Sequence, residues 1–124
     1  MNNSKLAFFT IVSLSLLLIL HRFGIANHLY LNVWYYDIIA HFLGGICLAL
    51  SSLYILKNTK YIIIITFVLG IAWELYEIYF SLTGHPVGSM EYGLDTVKDL
   101  IVDIFGACTV WLIIRRGQEN NKEK

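Results

Sequence analysis

Four long apolar stretches, separated by short polar breaks, dominate this chain. They run from about Leu6 to Phe23, Val33 to Leu56, Tyr61 to Phe80 and Asp95 to Ile114. Each approaches the roughly 20 mostly apolar residues that a helix needs to cross the hydrocarbon core of a bilayer. The predicted fold is therefore all-α: an integral membrane four-helix bundle over residues 1–116, followed by a polar tail over 117–124. The first stretch has the position of a signal peptide. No A-x-A-like cleavage site follows His21 and Arg22, so it is read as a retained helix. Asn32 is placed to cap the second helix, Asn58 or Thr59 the third, and Asp95 the fourth. Residues Ser81 to Leu94 contain Gly84, Pro86, Gly88 and Gly93 and read as the longest loop.

Composition agrees. Of the 124 residues, 57% are hydrophobic, more than a soluble domain of this size can bury. The length allows one domain. A net charge of zero gives no basic surface for nucleic acid, so the expected partner is membrane lipid. Cys47 and Cys108 lie within apolar runs and read as small buried hydrophobes.

The distribution of charge orients the helices. With the N-terminus inside the cell, Lys5, Lys57, Lys60, Arg115, Arg116, Lys122 and Lys124 are all cytoplasmic, and of the nine basic residues only Arg22 and Lys98 face outward. The expected location is the plasma membrane, with both termini cytoplasmic.

That orientation gives meaning to the polar residues inside the helices. A charged group at the centre of a spanning helix costs about 2.5–3.5 kcal/mol on insertion scales. The second helix carries Asp37 and His41, the third Glu74 and Glu77, the fourth Asp95, Asp99 and Asp103. All fall in the outer half of the bundle. At about 1.5 Å per residue, His41 and Asp103 lie about 12 Å in and Glu74 about 9 Å. Spacings of three and four keep each set on one helix face. Gly44, Gly45, Gly70 and Gly106 extend the same stripes with residues small enough for helices to approach closely. Asp37, His41, Glu74, Asp99 and Asp103 are thus expected to line one outward-opening pocket, under the 81–94 loop. Six carboxylates share this half with His41 and Lys98. They cannot all ionise unpaired in a low dielectric, so some hold protons or a cation sits among them.

Plainer roles compete for several residues. Asp95 reads first as a helix cap and Lys98 as a side chain reaching up to the headgroups. Glu77 is close enough to the helix end to reach water. His85 reads as a loop residue, and His21 with Arg22 as markers of the membrane interface. Trp34, Trp73 and Trp111 read as interfacial anchors.

The strings YDIIAHFLGG, WELYE and DTVKDLIVDIFGA resemble the pattern of the YjdF-like bacterial membrane proteins and, more remotely, that of the VanZ-like proteins. The resemblance covers about residues 33 to 110. The matching positions are Asp37, His41, Glu74, Glu77, Asp95, Thr96, Asp99 and Asp103. It implies an integral membrane enzyme that modifies a lipid or polyprenol headgroup.

Three functions follow as expectations. In the first, an enzyme acts on a phospholipid or lipid-linked headgroup. His41 is then the general base, oriented by Asp37. Glu74, Asp99 and Asp103 hold a divalent cation, for which Mg²⁺, Ca²⁺ or Mn²⁺ suits the oxygen-rich set better than zinc. Arg22, Glu77, Thr96 and Lys98 contact substrate. In the second, buried carboxylates conduct protons or cations. The inner half offers little beyond Ser51, Ser52 and Thr109 for such a path. In the third, the chain is a small sensor or partner subunit with an acidic outer pocket.

Overall fold

A computed structural model of the chain describes residues 2–120. Its helices are α1 (Asn3–Ala26), a single turn α2 (Leu29–Asn32), α3 (Tyr36–Leu56), a 3₁₀ turn (Thr59–Tyr61), α4 (Ile62–Tyr79) and α5 (Met90–Asn120). No strand occurs among the described residues. Lys122 and Lys124, which enter the charge count, lie outside them.

Among the described residues, three segments are long and apolar enough to cross a membrane: Asn3–Ala26, Tyr36–Leu56 and Thr59–Tyr79. The fourth long helix, α5, is longer than these but carries Asp95, Lys98, Asp99 and Asp103 within its length. Side-chain distribution shows the solvent. Outward positions are apolar, as at Ile11 (64% exposed) and Phe105 (62%). Buried positions include Thr10, Ser13, His41, Ser52, Thr66, Glu74, Asp99 and Asp103. A soluble protein would not expose apolar surface on this scale. This is an all-α membrane protein.

Helix ends follow local chemistry. Asn2 Oδ1 accepts from the N–H groups of Ser4 and Lys5 and caps α1. Asn58 Oδ1 accepts from Lys60 N–H and starts the turn into α4. Asn32 does not cap the second long helix: it ends α2, and α3 begins at Tyr36 with no side-chain cap. The long loop is shorter than expected, because α5 starts at Met90. Ser89 Oγ accepts from Tyr92 N–H there. Asp95 therefore sits in the second turn of α5 and is not its cap. At about 1.5 Å per residue the 31 residues of α5 span about 46 Å, well beyond a core of about 30 Å. Its C-terminal turns run on to Asn120, through residues expected in the tail, with Arg115 bonded to Glu119 at 3.0 Å.

The α3–α5 pair is the centre of the bundle. α1 packs along α3, and α4 packs on both α3 and α5. Two glycines set the closeness of the central pair. A Cβ on Gly45 would sit on the backbone carbonyl of Asp103, and one on Gly106 on the carbonyl of Phe42. Beside this crossing, Ala49, Leu50, Leu53, Ile62, Ala107, Val110 and Ile114 form the apolar core, which Leu6 of α1 joins.

Candidate functional site

The close crossing brings the polar stripes of α3 and α5 face to face. His41 on α3 is 8% exposed and stands among three carboxylates. Its Nδ1 lies 3.4 Å from Asp103 Oδ1. Its Nε2 lies 3.6 Å from Asp37 Oδ1, one turn back on α3, and 3.9 Å from Asp99 Oδ2. Both ring nitrogens thus face acids, and the ring can pass a proton between its two sides.

Lys98 neutralises much of this charge. Its Nζ donates to Asp95 Oδ1 at 2.6 Å and to Asp37 Oδ2 at 3.1 Å, and lies 3.3 Å from Asp99 Oδ1. It is turned into the bundle rather than up to the headgroups, which corrects the expectation for an isolated lysine near a helix end. The cause is three carboxylates within its reach. Asp99 Oδ1 itself is buried and accepts no aligned hydrogen bond.

Glu74 on α4 is 6% exposed, and its Oε2 accepts from Thr96 Oγ1 of α5 at 2.8 Å. Its neighbour one turn on, Glu77, is half-buried and accepts from Trp73 Nε1 at 2.9 Å. Among the described residues, the three ligating groups whose ligand atoms all lie within 4.8 Å of one another belong to Asp37, His41 and Asp99. Glu74 and Asp103 lie outside that group. One nitrogen and two carboxylate oxygens suit a hard or borderline divalent cation. Lys98, however, stands against two of the three. Arg22 is exposed on α1 and joins no ion pair among the described residues, and His85 is exposed in the loop.

A cleft of about 250 Å³ opens beside this cluster. One end is lined by His21, Tyr30, Asp37, His41, Trp73, Glu77 and Asp103; the other by leucines of α1, α3 and α4 with Cys47 and Ser51. His21 and Tyr30 were absent from the sequence-based site. His21 Nδ1 is 3.0 Å from Tyr30 Oη, and its ring meets Trp73 edge-to-face at 5.9 Å. Helix α1 therefore contributes a polar wall as well as packing. The available signal was spacing: His21 follows Leu14, Leu17 and Leu18 at seven, four and three residues, on their face. Burial pushes the Tyr30 phenol up to about 12, with Tyr36, Asp37 and Glu77 adding to the shift, so it stays protonated at neutral pH.

A family model described as "Predicted membrane protein (DUF2238)" matches residues 2–120. No curated protein and no solved structure matches the chain.

Proposed function

The chain belongs to this DUF2238 family of predicted membrane proteins, and within it we propose an enzyme that acts on the headgroup of a phospholipid or lipid-linked molecule. One observation carries the reading. The His41 cluster stands at the polar end of a cleft whose far end is apolar and lies among membrane helices. An amphiphile seated there presents its headgroup to His41. In this mechanism His41 takes a proton from an attacking hydroxyl or water. Asp103, at 3.4 Å, orients the ring and stabilises its charged form, a role that sequence spacing had suggested for Asp37. Lys98 holds Asp37 and Asp99 in place. A divalent cation, where one binds, would be held by Asp37, His41 and Asp99 in competition with that ammonium.

The accompanying topology has four crossings in the cell membrane, with both termini inside, supported by the basic residues near the ends of α1, α3, α4 and α5. The YjdF-like and remoter VanZ-like resemblance favours the same chemistry. Transport is the weaker reading, because the apolar end of the cleft offers few polar steps.

Lipid turnover by purified protein in liposomes of bacterial lipid extract tests the proposal. Wild type is expected to convert a lipid species, and His41→Gln to lose at least about a hundredfold of the rate, as befits a general base. Turnover unchanged in His41→Gln, or absent in wild type, overturns it.

A further inference from the structure

The cleft has an order along the bundle axis. Its polar residues gather near Asp37 and Glu77, and its leucines lie deeper, around Leu17, Leu48 and Leu69. From His41 to Ser51 on α3 is ten residues, or about 15 Å of helix rise. That equals one leaflet of a hydrocarbon core about 30 Å thick. The apolar part is therefore long enough to hold one hydrocarbon chain. The cleft lies on the side where α1 and α4 make little contact, apart from His21 against Trp73. A chain can enter there sideways from the leaflet.

The polar end selects by charge. Its wall holds the carboxylates of Asp37, Glu77 and Asp103, and no lysine or arginine lines it among the described residues. Lys98 lies behind Asp37, outside the lining. Glu77 sits against the indole of Trp73, and Tyr30 adds a second aromatic surface. A carboxylate beside aromatic rings is the arrangement that binds ammonium groups. We infer that the cleft takes an amphiphile with a cationic amine headgroup, one hydrocarbon chain lying between α1 and α4. The inference names the substrate class of the site proposed above, and rests on that reading for the occupant to be a substrate rather than a bound ligand.

The test uses the full chain in nanodiscs and three probes: dodecylamine, dodecanol and dodecyl phosphate, each with a diazirine at the chain end. The amine should label peptides of α1 and α4 near Leu17 and Leu69, at least about tenfold more than the phosphate, a preference of about 1.4 kcal/mol. Glu77→Gln should lower amine labelling severalfold and leave dodecanol labelling unchanged. Leu48→Trp, or Ser51→Phe should the first variant not fold, fills the cleft and should abolish labelling by all three probes. Equal labelling by phosphate and amine overturns the headgroup assignment. Labelling that persists in a folded cleft-filling variant overturns the chain assignment. Amine-selective labelling without lipid turnover supports this inference while removing the enzymatic reading.

Discussion

Lys98 donates to Asp37 at 3.1 Å, across 61 residues of sequence, and so joins α5 to the first turn of α3. The same ammonium reaches Asp95 and Asp99. A single side chain thus stands where a dissolved cation would otherwise be drawn. Two unit charges at about 4 Å interact by about 4 kcal/mol at an effective dielectric of 20. Lys98→Ala should therefore raise the affinity for Mn²⁺ by at least about tenfold, a change of about 1.4 kcal/mol. In that background Asp99→Asn should remove the gain and Asp95→Asn should not. Calorimetry on purified protein reads all three. An Mn²⁺ affinity equal in Lys98→Ala and wild type would show that the ammonium does not occupy the cation's place.

Adjacent glycines on α3 should respond very differently to one methyl group. A Cβ on Gly45 meets the backbone of Asp103, which cannot step aside, whereas one on Gly44 meets only Asp103 Oδ1 at 3.5 Å. Gly45→Ala should cost about 1–3 kcal/mol as overpacking, with Gly44→Ala near neutral. Thermal unfolding in detergent measures both. Similar losses for the two would mean that α3 and α5 do not cross at Gly45.

These two glycines also show what the sequence made legible. The stripe Asp37–His41–Gly44/Gly45 could be read because helical periodicity survives in lipid, where polar and small residues mark the inward face as apolar ones do in water. The meeting of the α3 and α5 stripes followed from depth and face. Partner choice did not. Nothing in the spacing distinguished Asp103 from Asp37 as the acid opposite His41 Nδ1, because that depends on how α3 and α5 rotate about their contact. The start of α5 was hidden by Gly93, which the helix accommodates. Ser89 after Gly88, with Glu91 in the first turn, was the cap signal that outweighed it. His21 was masked by a helix apolar on nearly every side.

Orientation can be tested by cysteine labelling. Met90→Cys should react with a membrane-impermeant maleimide added to intact cells, and Gln118→Cys only after permeabilisation. Both native cysteines are replaced by alanine first. Reaction of the Gln118→Cys protein in intact cells would reverse the proposed topology.

The Glu74–Thr96 bond offers a stability measurement. Glu74 is buried, and Thr96 is the one side-chain hydrogen-bond partner it has among the described residues. Thr96→Val keeps the shape and removes the donor. It should destabilise by about 1–3 kcal/mol, the cost of a buried acceptor left unsatisfied. Thr96→Ser should retain most of the stability. Equal melting of Thr96→Val and wild type would mean that the bond contributes nothing.

Helix α5 has a further consequence for how the protein is made. It follows α3 in the chain, yet it brings the lysine that meets Asp37. During synthesis α3 must therefore enter the membrane with its aspartate and histidine unmatched. α5, with its own three aspartates, is not among the helices apolar enough to cross a membrane by composition. Each helix holds the counterpart that makes the other tolerable. The pairing is thus complete only once α5 has been made, and a ribosome stalled between Tyr79 and Met90 would leave Asp37 without Lys98.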